Sequence, residues 1–195
     1  MRKRLMTIVT AGMLGGALVF TGCSTGGDQD QATPSTTSQH EGHGSSSDSG
    51  GMEHPMDGGP APEGIETAAS PTYPVGTEVT LTADHMEGMD GANATIAGAY
   101  DTYTYAVNFT PSTGGEPVKD HKWVVQQEIK DAGEERLADG TEVTLEAEHM
   151  EGMKGAKATI ASSTEETVYM VDYESDGMTM TNHKWVVESE LKPAS

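Results

Sequence analysis

The chain has 195 residues, 31 Asp and Glu against 11 Lys and Arg, a formal charge of −20 and a single cysteine. So acidic a chain repels nucleic acid and anionic headgroups, which leaves cations as its natural partners. One cysteine excludes an internal disulfide framework, so any small domain here depends on packing between units or on metal.

Arg2, Lys3 and Arg4 precede an apolar run from Leu5 to Phe20 that is short for a membrane span. The run ends in Phe20-Thr21-Gly22-Cys23, which resembles the lipobox of bacterial lipoproteins. Residues 1–22 are therefore expected to be a signal peptide and Cys23 the lipidated residue, anchoring the mature chain at the extracytoplasmic face of the cell membrane. An ordinary secretion signal with a nearby cysteine is the bland alternative, and it too places the mature chain outside the cytoplasm. Removal of the three basic residues leaves 8 basic against 31 acidic, a charge of −23.

Residues 23–74 read as a tether. Gly, Ser, Thr, Asp, Gln and Pro dominate, and Ile65 is the only large aliphatic residue, too little to offset the entropy of ordering. Within it lie His40, His43 and the alternating Met52, His54 and Met56, soft donors able to wrap one ion on an extended chain. A polar linker with chance His and Met is the alternative.

Beyond the tether the chain repeats itself. Gly76 to Ala97 and Gly140 to Ala161 differ at only four of 22 aligned positions, and both contain His-Met-Glu-Gly-Met, at 85–89 and 149–153. In the first copy Val79, Leu81 and Ala83 alternate with polar residues, the period of a half-buried strand. After a glycine turn, Ala92, Ala94 and Ile96 alternate again. Tyr103, Tyr105, Val107 and Phe109 form a third strand, and His121 to Val125 a short one running into a turn that ends at Ile129. The second copy repeats the plan through Leu145, Ile160, Val171 and His183 to Val187. The expected fold is all-β: two tandem small SH3-like β-barrel repeats, 75–131 and 139–195.

The paired G-T-x-V-x-L, H-M-x-G-M-x-G-A-x-A-T-I and H-K-W-V-V-x-x-E-[IL] motifs behind a lipoprotein signal resemble the YdhK family of bacterial extracytoplasmic lipoproteins, whose domain occurs in tandem. The resemblance covers Gly76 to Lys192. It implies the fold and, through copper-resistance members of the CopL type, a role in sequestering copper.

The residues point the same way independently. Copper(I) prefers thioether, thiolate and imidazole donors. With Cys23 consumed by lipid, Met and His remain. His85, Met86 and Met89, and His149, Met150 and Met153, put three soft donors within five residues on turns loosened by Gly88 and Gly152, enough for a three-coordinate Cu(I) site in each repeat. Alternatively these methionines fill the open end of a small core. His121 and His183 either sit as buried structural histidines beside Trp123 and Trp185, the favoured reading, or reach the turns as further donors. Met178 and Met180 have no counterparts in the first repeat, so the second is expected to bind more tightly. Met170 is assigned to packing, and Asp84, Glu87, Glu148 and Glu151 to solvated faces.

No nucleophile or phosphate-loop arrangement is visible, so an enzyme is not expected. The reading is a membrane-anchored copper-binding lipoprotein that sequesters or buffers Cu(I) for copper tolerance. Its partners are copper, the lipid anchor and, as candidates, a copper-exporting ATPase or a cell-wall component. The alternative is a wall or envelope protein interaction module that uses the Tyr100 to Phe109 strand as an aromatic platform.

Overall fold

A computed structural model describes residues 54–194; Cys23, His40, His43 and Met52, with the signal region, lie outside the described residues. Ten strands follow in order: β1 (Glu66–Thr67), β2 (Glu78–Leu81), β3 (Asn93–Asp101), β4 (Thr104–Phe109), β5 (Val118–Val125), β6 (Glu142–Thr144), β7 (Lys157–Thr164), β8 (Val168–Ser175), β9 (Met178–Val187) and β10 (Leu191–Pro193). Single 3-10 turns, Gln126–Glu128 and Glu188–Glu190, follow β5 and β9. No helix among the described residues is long and apolar enough to cross a membrane.

The all-β class and the duplicated plan hold. The strands do not, however, assemble repeat by repeat. One sheet runs β10-β2-β3-β8-β9, with β1 also on β3, and the other β5-β4-β7-β6. Each sheet therefore joins the first two strands of one repeat to later strands of the other, β8, β9 and β10 in the first sheet and β4 and β5 in the second. The ranges 75–131 and 139–195 mark repeats of sequence, not two self-contained closed barrels.

The local chemistry explains the exchange. Only Thr102 and Tyr103 separate β3 from β4, and only Glu165 to Thr167 separate β7 from β8. A two-residue hairpin needs residues that accept a positive φ, such as Asn-Gly, and neither link has one. The chain runs on instead of folding back. As a result β3–β4 and β7–β8 form one antiparallel ladder, from Ala94↔Tyr173 to Phe109↔Ala158, whose paired residue numbers sum to 267 or 268 throughout. A pseudo-twofold axis relating the repeats follows from that register.

Apolar faces close on three clusters. Leu81, Met89, Ile96, Tyr169 and Val171 belong to the cluster under the first sheet, and Leu145, Met153, Ile160, Tyr105 and Val107 to its equivalent under the second. Trp123, Val125, Met170, Trp185 and Val187 form a third where the repeats meet. Met170 thus packs as expected.

Candidate metal centre

The repeated pentapeptide is a turn with a divided task. β2 stops at Leu81, and the chain is drawn back by Gly91 N–H to Leu81 O, 2.9 Å, and Met89 N–H to Met86 O, 3.2 Å; Gly155 to Leu145, 2.8 Å, and Met153 to Met150, 3.2 Å, repeat this. Gly88 and Gly152 sit at φ 76° and 74°, where L-side chains are strained, and a Cβ on either would overlap Ser175 Oγ or Thr113 Oγ1. The bend sends Met89 and Met153 inward, both 0% exposed, and leaves His85 and His149 facing the opposite repeat.

Each histidine meets a carboxylate there. His85 Nε2 lies 2.7 Å from Glu190 Oε1, and Trp123 Nε1 donates to Glu190 Oε2 at 2.9 Å. Across the pseudo-axis His149 Nε2 lies 2.8 Å from Glu128 Oε1, and Trp185 Nε1 donates to Glu128 Oε2 at 2.9 Å. Burial pushes both carboxyl groups up, but the hydrogen-bonded imidazole and indole outweigh it and hold Glu128 and Glu190 below the ordinary carboxylate value. An ionised carboxylate only accepts, so Nε2 of each ring is the donor, and the position left for a lone pair is Nδ1. Both Nδ1 atoms are buried with no hydrogen-bond partner. A carboxylate on one ring nitrogen and a free lone pair on the other is the arrangement that orients metal-binding histidines.

His121 and His183 are brought in by β-bulges. Asp120 and Asn182 take φ of 49° and 50°, a region these two residue types tolerate, and their backbone N–H groups donate to Asn108 Oδ1 at 2.9 Å and Asp172 Oδ1 at 2.7 Å. The rotated strands aim the next side chains inward. His121 Nε2 is a further buried nitrogen without a partner. Burial, reinforced by the neighbouring histidines, pushes the pKa of both His121 and His183 down to about 3. Both rings are therefore neutral at pH 7.

One cleft collects these groups. His54, His85, Met86, His121, Met150, Met178 and His183 line it, and a recess sharing His54 and His183 is lined by His149. His121 lies 6.0 Å from His149 and 6.3 Å from His54 between ring centroids. Burial lowers the pKa of His54, and the His149 ring adds to the effect. Among the described residues no three His, Cys, Asp or Glu side chains form a ready-made metal-ligating group.

The structure divides the expected donors. Met89 and Met180 lie in the first core cluster and Met150 and Met153 in the second, with Met150 also bordering the cleft, so a three-donor site within each turn does not form; core packing claims Met89, Met153 and Met180. Met56, 53% exposed, is held by its carbonyl to Thr181 rather than by its sulfur, and Met52 lies outside the described residues. Tyr105 and Phe109 are buried, so the strand expected as an aromatic platform faces inward. The groups missed are Glu128 and Glu190. Their signal is the acid that closes each H-K-W-V-V-x-x-E motif: a charged residue three positions beyond an apolar strand, repeated in register.

The family model described as "Protein of unknown function (DUF1541)" matches residues 75–126 and 139–188. The "Uncharacterized protein YdhK" of Bacillus subtilis (strain 168) is 51% identical over 156 residues, 79% of this chain and 76% of that protein. A crystal structure of the B. subtilis protein superposes with a TM-score of 0.69 at 52% identity, covering 70% of this chain and 94% of that one. The solution structure of its C-terminal domain gives 0.59 at 55% identity, covering 62% and 92%.

Proposed function

The chain belongs to the DUF1541 family, and from that premise we propose that it is a non-enzymatic copper-binding lipoprotein, anchored outside the cytoplasmic membrane, which sequesters or buffers Cu(I) for copper tolerance. The observation that carries this is the gathering of imidazoles from both repeats, with the thioethers of Met86, Met150 and Met178, at one cleft. Neutral imidazole and thioether are donors for soft and borderline ions, while hard ions want clustered oxygens. Neither donor forms disulfides, which suits an oxidising exterior, and buried rings that stay neutral need shed no proton to bind. The anchor and export follow from the N-terminal pattern and Cys23.

The test is anaerobic competition of the full chain, in detergent micelles, with a chromophoric Cu(I) chelator, beside Zn(II) and Ca(II). Tight Cu(I) uptake with weaker uptake of the other two is expected, together with lowered copper tolerance of cells lacking the protein. Uptake no tighter for Cu(I) than for Zn(II) overturns the reading.

A further inference from the structure

We infer, resting on the copper reading above, that the ion is held in two-coordinate form between His121 Nε2 and His149 Nδ1, one ring from each repeat, at a single site that the pseudo-twofold copy does not reproduce. The two nitrogens are buried and lack hydrogen-bond partners, and their ring centroids stand 6.0 Å apart. A buried polar atom left unpaired is costly, and two on adjacent rings mark a place where something else completes the bonding.

The separation is compatible with a bridge between the two rings. With a metal–nitrogen bond of about 2 Å and about 1.2 Å from nitrogen to ring centroid, a straight bridge puts the centroids about 6.4 Å apart and a tetrahedral pair about 5.2 Å. The observed 6.0 Å lies between these limits and leaves room for an ion in an opened two-coordinate bridge. Cu(I), a filled-shell monovalent ion, accepts two ligands in line. A tetrahedral ion needs two further donors already converging on it, and among the described residues no three His, Cys, Asp or Glu side chains converge in that way.

Charge points the same way. Glu128 Oε1 lies 2.8 Å from His149 Nε2, and this carboxylate, itself buried, supplies one negative charge behind the ligand. One monovalent ion balances it. A divalent ion leaves a net buried charge, and the penalty for burying charge rises with its square.

The equivalent pair on the other side is spoilt. His183, the counterpart of His121, packs edge-on against Tyr173 at 5.4 Å and has no fully buried nitrogen lacking a partner. His85, the counterpart of His149, packs against Trp123 at 6.2 Å. The Tyr173 hydroxyl also donates to Met86 Sδ at 3.8 Å, engaging that thioether. The matching position on β4 is Phe109, which has no hydroxyl and leaves Met150 Sδ without such a partner. His54, which occurs once because it precedes the repeats, lies parallel to His121 at 6.3 Å with an 8° tilt, so the two sides differ there as well.

The test uses the full chain in detergent micelles, anaerobically, with Cu(I) against a chromophoric chelator, and X-ray absorption at the copper edge. One tight equivalent is expected, with the edge feature of two-coordinate Cu(I) and nitrogen scatterers. His149→Gln and His121→Gln should each weaken it at least about 100-fold, and Glu128→Gln, acting through the ligand, about 10- to 100-fold. His183→Gln should cost no more than about threefold by the same comparison, and Met180→Leu, in the core, nothing. Tryptophan fluorescence checks folding; His121, whose Nε2 bonds to nothing, is the variant read if His149→Gln unfolds. Two equal equivalents, a His183→Gln loss matching that of His121→Gln, or sulfur-dominated scattering overturns this site while leaving copper binding intact. Absence of any tight Cu(I) uptake overturns both.

Discussion

Removal of the Glu128 carboxylate by Glu128→Ala tests the junction between the repeats most directly. This group, 6% exposed, accepts from His149 at 2.8 Å, from Trp185 at 2.9 Å and from the backbone N–H of Val125 at 3.3 Å. Loss of the acceptor strands three buried donors, each costing about 1–3 kcal/mol, partly relieved by water entering the vacated space. A net loss of about 3–5 kcal/mol is expected, within the range for breaking a buried charged network. Glu190 makes the matching bonds, to His85 at 2.7 Å, Trp123 at 2.9 Å and Val187 N–H at 3.1 Å, but its side chain is 13% exposed against 7% for Glu128. Water reaches its stranded donors more easily, so Glu190→Ala should cost less, about 1–3 kcal/mol. Urea denaturation of the metal-free chain at pH 7, followed by tryptophan fluorescence, measures both. A Glu128→Ala loss under 1 kcal/mol, or a Glu190→Ala loss exceeding it, would refute the account of these carboxylates as buried ties.

Acid should destabilise the fold through the bulge histidines. His121 and His183 titrate near 3 when folded and near 6.5 when unfolded, so the unfolded chain binds more protons between those values and stability falls as pH drops from 6.5. From pH 7 to 4.5 each ring contributes a loss of up to about 2–3 kcal/mol. Glu128 and Glu190, whose folded pKa values are lowered, keep their contribution until the pH falls below 4.5. The double variant His121→Gln/His183→Gln should show a visibly shallower pH dependence of thermal unfolding, and an unchanged slope would count against the assignment. Met89→Ala and Met153→Ala, both 0% exposed, should each cost about 2–5 kcal/mol in metal-free denaturation, while Met178→Ala, 52% exposed, should change stability by less than about 0.5 kcal/mol. A protease site placed at the exposed Glu134–Glu135 should give two fragments that stay together in native mass spectrometry, because the 94–109 ladder pairs with 158–173 across the cut. Separation of the fragments in native buffer would argue for repeats that stand alone.

Sequence alone determined the all-β class, the duplication and the strand cores: alternation at Val79–Leu81 and Ala94–Ile96 is a local property, read directly from the spacing of side chains along a pleated chain. It also identified the soft-donor residues, since their chemistry does not depend on where they end up. Tertiary structure decided who pairs with whom. The near-identity of the two copies means that a strand finds the same partner surface in its own repeat or in the other, so exchange leaves the hydrophobic pattern unchanged. The choice rests on two short links without glycine. The same exchange explains why the site was misplaced within single turns: His85 reaches Glu190 across 105 positions, and His121 reaches His149 from the opposite repeat. Met89 and Met153 carry the same thioether as Met86 and Met150, yet the bend at Gly88 and Gly152 buries them completely while Met86 and Met150, packed on the same cores, also border the cleft.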